Sequence, residues 1–188
     1  MSKLLDKILV IDIEATCWEG KIPVGQQNEI IEIGICVLMT ATGDRITKDS
    51  IIVKQQYSEV SAFCTDLTTL TPQQVAKGIS LKAACQILKD QYESPQYTWA
   101  SYGNYDRRQF ERECQAKKIS YPFSSSHLNV KNLLALTLGW EKEVGMVTAM
   151  EKLGLPLEGI HHRGADDAWN IANLLGRWLR QYRMSRLP

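Results

Sequence analysis

Residues 7–14 read KILVIDIE: four consecutive aliphatics, Ile8 to Ile11, then Asp12 and Glu14 on either side of Ile13. An unbroken apolar run of strand length marks a strand buried on both faces. Such a strand lies in the middle of a sheet covered by helices on both sides. This run therefore sets the fold class as α/β. Asp12 and Glu14 are two apart, so both side chains leave the same face of the strand. A strand end emerging into solvent would accept the same D-x-E. After four aliphatics of a central strand, however, a paired or metal-holding role is the better reading, because burying a bare carboxylate is costly.

Working outward, residues 29–39 (EIIEIGICVLM) predict a long second strand and 45–54 (RITKDSIIVK) a third. The short connection holds Gly43-Asp44, a hairpin signal, so the first three strands form an antiparallel meander. Residues 57–78 predict loops and short helical turns, with Pro72 as a first-turn proline after Thr71. Ser80 caps a helix over 80–91 with Leu81, Ala84, Cys85 and Leu88 at helical spacing. Residues 97–101 predict a fourth strand, and 105–117 a helix with Phe110 and Cys114 facing inward. Residues 127–130 predict a weak fifth strand leading into the short helix LLALTL. GMVTAMEKLG predicts a helix ending at Gly154, and 164–182 a last helix with the stripe Ala168, Ile171, Ala172, Leu175, Trp178 and Leu179. The expected architecture is a mixed five-stranded sheet covered by helices, formed as one domain over 1–188.

The formal net charge of +1 argues against a long grip on many phosphates and for a small footprint such as one strand end. The N-terminal apolar run is short and carries Asp6 and Lys7, unlike a signal peptide. No run approaches membrane-spanning length, so no membrane partner is expected. Five cysteines without C-x-x-C spacing read as reduced thiols in a cytoplasmic protein rather than as a zinc site. Nothing in the chain sets its oligomeric state; a monomer is the working expectation.

Two further stretches carry chemistry. SYGNYD places Asp106 at a helix start, where it would also complement the helix dipole. HHRGADDAWNIA offers His161 or His162 in a loop and Asp166 or Asp167 in a first helical turn. Residue chemistry alone does not choose within either pair. If the carboxylates converge, they make a site for hard divalent cations such as Mg²⁺ or Mn²⁺. A histidine beside them supplies a base near neutral pH, and the set describes two-metal phosphodiester hydrolysis.

The order D-x-E, then D, then H-x₄-D resembles the DEDDh family of 3′-to-5′ exonucleases. IDIEATCWE, NEIIEIG, AFCTDLTTLTPQQV, YGNYDRRQFERECQ and HHRGADDAWNIA resemble its ERI-type branch, which includes histone-mRNA 3′-end exonucleases and KapD-like proteins. The resemblance spans about residues 8–180 and implies an RNase H-like fold. It also selects His162 as the base and Asp167 as the last acid, leaving His161 and Asp166 secondary. It implies that Asp12 bridges two metal ions, that Glu14 and Asp167 hold one of them, and that Asp106 holds the other through water.

The resemblance implies further that Ala15 and Thr16 contact the terminal sugar while Phe63 and Tyr105 flank the base, with core packing as the alternative for Phe63. Tyr105 stands where many eukaryotic members carry tryptophan, which keeps a stacking surface. Glu32 reads either as support for the site or as a residue paired at the sheet surface. Trp18 is a candidate for substrate contact. Arg177, Arg180, Arg183 and Arg186 read as a solvated face near a helix C-terminus or as a phosphate ridge. The expected activity is metal-dependent removal of 5′-nucleoside monophosphates from single-stranded 3′ ends, RNA ahead of DNA. The alternatives are a DNA-directed exonuclease, a non-catalytic nucleic-acid-binding scaffold and a phosphoesterase for small nucleotides. The chain has no room for an appended nucleic-acid-binding domain, so affinity for structured RNA must come from this domain or from a partner.

Overall fold

The computed structural model describes residues 4–184. Five strands form one mixed sheet in the order β3-β2-β1-β4-β5. They are β1 (Leu4–Ala15), β2 (Ile30–Met39), β3 (Asp49–Ile52), β4 (Tyr97–Ser101) and β5 (His127–Asn129). β2 runs antiparallel to β1 and to β3, whereas β4 runs parallel to β1 and to β5. The central position of β1 follows from its apolar run. Leu9, Ile11 and Ile13 face one core with α3 (Leu81–Tyr92) and α4 (Tyr105–Ala116). Ile8 and Val10 face a second core with α5 (Val130–Thr137), α6 (Met146–Lys152) and α7 (Gly164–Met184). No described helix is long and apolar enough to cross a membrane.

The third strand is shorter than its sequence suggests. Regular pairing covers only 49–52, because the register shifts by one residue between Ile35↔Asp49 and the isolated bridge Leu38↔Arg45. Thr47 Oγ1 accepts the Val37 N–H across that irregularity at 3.1 Å. The expected hairpin turn is present, with Gly43 at φ 72° and its N–H bonded to Met39 O. The 57–78 region holds α1 (Ala62–Thr68), capped by Ser61, and α2 (Pro72–Ala76), where Thr71 and Gln74 form a capping box ahead of Pro72.

Two placements set up the functional site. α4 packs Phe110 and Cys114 against the sheet, while its polar side chains reach backbone at the ends of β1 and β2. Asp106 Oδ1 accepts from Ile13 N, Gln109 Nε2 donates to Asn28 O, Glu113 Oε2 accepts from Ile30 N, and Lys117 Nζ reaches Glu29. α7 crosses β1 and β2 at backbone contact: a Cβ at Gly34 would lie 1.9 Å from the Gly164 carbonyl carbon. Only a glycine at 34 admits the helix there.

Arg177, Arg180 and Arg183 are exposed near the end of α7, and two of them also reach backbone. Arg180 Nη1 donates to Gly43 O at 2.7 Å, and Arg183 Nη1 donates to Ala41 O at 2.9 Å and to Thr40 O. They clamp the β2–β3 turn. Arg186 lies outside the described residues.

Candidate active site

Strand alternation puts Asp12 and Glu14 on the face that α7 covers. Asp12 pairs with Gly34 across the ladder, and Glu14 pairs with Glu32. Because Gly34 lets α7 touch the sheet, the first turn of that helix brings Asp167 over the two β1 acids. Carboxylate oxygens of Asp12, Glu14 and Asp167 all lie within 4.8 Å of one another. Asp106 joins from the start of α4, tied to the backbone between the β1 acids by its 3.1 Å bond from Ile13 N. A cleft of about 290 Å³ is lined by these four acids, Ile13, Tyr102, Tyr105, Met146, His161 and His162.

Glu32 anchors the start of α7. It is fully buried. Oε2 accepts from Gly164 N at 3.0 Å and Arg163 Nε at 3.1 Å, and Oε1 accepts from Ser50 Oγ at 2.6 Å and Arg163 Nη2 at 3.2 Å. Of its two sequence readings, support for the site is the one that the structure favours. Its signal was an acid on an otherwise apolar strand.

The two histidines share one small structure. His162 adopts a left-handed backbone, φ 65°, and its N–H donates to Asp167 Oδ2 at 2.9 Å. The His161 ring reaches the same carboxylate, Nδ1 lying 2.9 Å from Oδ2, and stacks on the His162 ring at 3.8 Å. His161, which the family spacing ranks second, therefore belongs to the site as the group that holds Asp167. Asp166 turns away. It accepts from Ile160 N and pairs with Lys48 Nζ at 2.5 Å.

The electrostatics are those of a cation site. Burial, then repulsion from Asp106, Glu14, Asp167 and Glu32, raises Asp12 well above the usual carboxylate range. Glu14 is pushed up to about 8, first by burial and then by Asp167, Glu32 and Asp106. Burial raises Asp106 to about 6 against the bond from Ile13 N, and burial also raises Asp167 against its bonds from the histidines. Burial and then the neighbouring His161 hold His162 below the usual imidazole range. Hard oxygen donors that repel one another fit Mg²⁺- or Mn²⁺-like cations, which would relieve the repulsion. The four acids therefore fit a divalent metal on donor chemistry and mutual repulsion alike.

The expected nucleotide contacts are divided. Tyr105 lines the cleft and is 53% exposed. Phe63, 40% exposed on α1, is not a core residue, and it lies outside the cleft lining. Thr16 is fully buried, its hydroxyl donating to Gln27 O and accepting from Glu29 N, and Ala15 beside it is also buried. Neither lines the cleft. Trp18 is partly buried with an indole N–H that makes no hydrogen bond. Tyr102 and Met146 were not legible as site residues. Tyr102 borders the third-acid stretch and donates to Val144 O at 3.1 Å, and Met146 merely opens α6.

An exonuclease family model, of the RNase T type, matches residues 9–175. The chain is similar to 3′-5′ exoribonuclease 1 of Rattus norvegicus, 30% identical over 184 residues, which is 93% of this chain and 53% of that protein. The chain thus spans about half the length of that curated relative. It is 25% identical to the probable 3′-5′ exonuclease KapD of Bacillus subtilis over 87% of this chain and 80% of that one. Among solved structures, the nuclease domain of 3′hExo, a DEDDh family member bound to rAMP, superposes with a TM-score of 0.81 at 28% identity, covering 94% of this chain and 92% of that one. With an RNase H-like sheet, four acids around one cleft and a family match over nearly its whole length, the chain belongs to the RNase T exonuclease family.

Proposed function

We propose that this chain is a metal-dependent 3′-to-5′ exonuclease that removes 5′-nucleoside monophosphates from single-stranded 3′ ends, RNA ahead of DNA. The observation that carries the reading is the convergence of Asp12, Glu14 and Asp167 oxygens within 4.8 Å in a buried setting that disfavours their charge. RNA is favoured because the similar curated protein is an exoribonuclease and the similar nuclease domain holds rAMP. The catalytic unit is the single domain built on the one sheet.

Asp12, Glu14, Asp106 and Asp167 would hold two divalent ions, Mg²⁺ or Mn²⁺. Asp12 would stand at the centre of that set, its oxygens within 4.8 Å of those of Glu14 and Asp167. When bound, such a pair supplies Lewis-acid activation and stabilises charge on the attacking and leaving oxygens. His162 takes the proton of the attacking water, and its lowered pKa keeps the imidazole in the accepting form at neutral pH. His161 and the His162 N–H fix Asp167. Tyr105 stacks under the terminal base at the cleft wall. The P–O3′ bond breaks, leaving a 5′-monophosphate on the released nucleotide and a free 3′-OH on the strand.

The test is cleavage of 5′-labelled single-stranded RNA and DNA of one sequence in Mg²⁺, in Mn²⁺ and with chelator, beside Asp12→Ala. A metal-dependent ladder shortening from the 3′ end, faster on RNA and lost in Asp12→Ala, is the expected result. Faster DNA cleavage would make it a DNA-directed enzyme. Binding without cleavage in either metal would leave a scaffold.

A further inference from the structure

β1, β4 and β5 run parallel, so their C-terminal ends meet along one edge of the sheet, where ligands of such sheets gather. Asp12 and Glu14 stand near the end of β1. Tyr102 follows Ser101, the last residue of β4, and Asn129 ends β5 and caps α5 by accepting from Asn132 N. Gly103, at φ 115°, turns the chain between Tyr102 and Tyr105, and both tyrosines line the acid cleft. The two lean toward opposite flanks of it. Burial pushes the Tyr105 phenol up to about 12, and Cys17 and Glu14, on the β1 side, add to the rise. Tyr102 faces the loop before α6, on the β5 side: its hydroxyl donates to Val144 O at 3.1 Å and lies 3.4 Å from Gly145 O. That loop is fastened to the first turn of α5, where Glu143 meets Lys131 Nζ at 3.7 Å and Asn132 Nδ2 at 3.2 Å.

Tyr102 is half-buried and packs with Met146 in the second core, and Met146 also lines the cleft. The latch to Val144 and Gly145 fixes the ring before any substrate arrives, so stacking on it costs no ordering of the side chain. Its hydroxyl hydrogen is spent on carbonyl oxygen, and burial and then the Glu143 carboxylate raise its phenol, so Tyr102 has nothing to give a phosphate. What it offers is the face of a ring beside a polarisable thioether. A phosphodiester joins two nucleosides, and its phosphorus must lie at the acids. A strand whose terminal base rests against Tyr105 therefore turns its next nucleoside toward the flank built by Tyr102 and Met146.

We propose that Tyr102 and Met146 form a second nucleoside subsite, which holds the base of the penultimate nucleotide, the one left carrying the new 3′-OH. The subsite deepens the exonuclease reading and rests on it. The terminal base and its neighbour are each stacked, one on either side of the bond that breaks. Stacking accepts every base, so the subsite selects a strand with a base next to its end rather than a sequence.

The test measures the first cut of two short single-stranded RNAs that differ only in whether the penultimate nucleotide carries its base. The unaltered chain is expected to favour the intact strand over the abasic one by roughly tenfold in kcat/KM, as one stacked base allows. Tyr102→Leu keeps an apolar side chain against the core and removes the aromatic face. It should lower that ratio roughly fivefold or more while cutting the abasic strand at close to the parental rate. Tyr102→Phe keeps the ring and should keep most of the ratio. A fold weakened in either variant slows both strands alike and leaves the ratio where it was. An unaltered chain that cuts both strands equally well would overturn the subsite and leave the exonuclease standing. So would a ratio that survives in Tyr102→Leu, or one lost as fully in Tyr102→Phe as in Tyr102→Leu. An unaltered chain that cuts neither strand in Mg²⁺ or Mn²⁺ would sink the exonuclease reading and the subsite with it.

Discussion

At the residue scale, the site is defined by how the fold treats single side chains. His161 and His162 are adjacent in sequence, yet with a left-handed backbone at His162 the first meets Asp167 through its ring and the second through its backbone N–H. We expect His162→Ala to lower kcat by about 10²- to 10⁴-fold with metal affinity little changed. His161→Ala should instead raise the metal concentration needed for half-maximal activity by roughly 10- to 100-fold, since it orients a ligand. Metal titrations of both variants separate these roles. Asp12 and Glu14 were legible because carboxylates after an apolar run need a reason to be there, whereas Asp106 and Asp167 stood out only through the order of motifs that resembles the DEDDh family. The part played by His161 was not legible, because it depends on one φ angle that local sequence does not fix. Thr16 was legible only as a neighbour of Glu14; that its hydroxyl closes the Gln27–Glu29 loop follows from long-range packing.

At the element scale, the contact between β2 and α7 decides whether the acids meet. A Cβ at position 34 would meet backbone, not a flexible side chain. Gly34→Ala should therefore destabilise the protein by about 3 kcal/mol or more and remove activity in whatever still folds. Gly145→Ala adds a Cβ to open space at ordinary φ, and its thermal midpoint should stay within a degree or two of the parent. Equal shifts in a denaturation experiment would refute this account of the crossing. Long, strongly patterned elements such as β1, β2, α4 and α7 could be read from their periodicity. The length of β3 could not, because a register shift arises from Thr47 bonding across the ladder rather than from hydrophobic pattern. The partners of Arg180 and Arg183 were not legible for a related reason: they are turn carbonyls more than a hundred residues earlier.

At the scale of the whole molecule, the acid cluster makes folding depend on pH and on cations. Glu14 moves from 4.5 to about 8 and Asp106 from 3.8 to about 6 on folding. A carboxyl raised by folding favours the native state only while protonated. Its penalty is absent below its unfolded value and grows as pH rises to the folded one. The metal-free protein should accordingly lose stability between about pH 4 and 8 from these groups. Glu14→Gln should melt higher than the parent at pH 8, with the difference vanishing near pH 4. Calorimetry across that range checks the sign, and a variant that melts lower at pH 8 would contradict it. Millimolar Mn²⁺ should raise the midpoint of the parent more at pH 8 than at pH 5.5, and much less in Asp12→Asn.

The long helix that starts beside the acids and ends in the arginine clamp acts as a ruler between two distant parts of the sheet. Asp167 sits in its first turn, while Arg180 and Arg183 grip the β2–β3 turn. One extra alanine after Asn173 would advance the far end by about 1.5 Å and swing it by about 100°. Both guanidiniums would then miss their carbonyls, although no contact at the cleft had been touched. The chain should thus accept extra length in the exposed segment after Trp18 and refuse it inside this rod, since only the rod has both ends held.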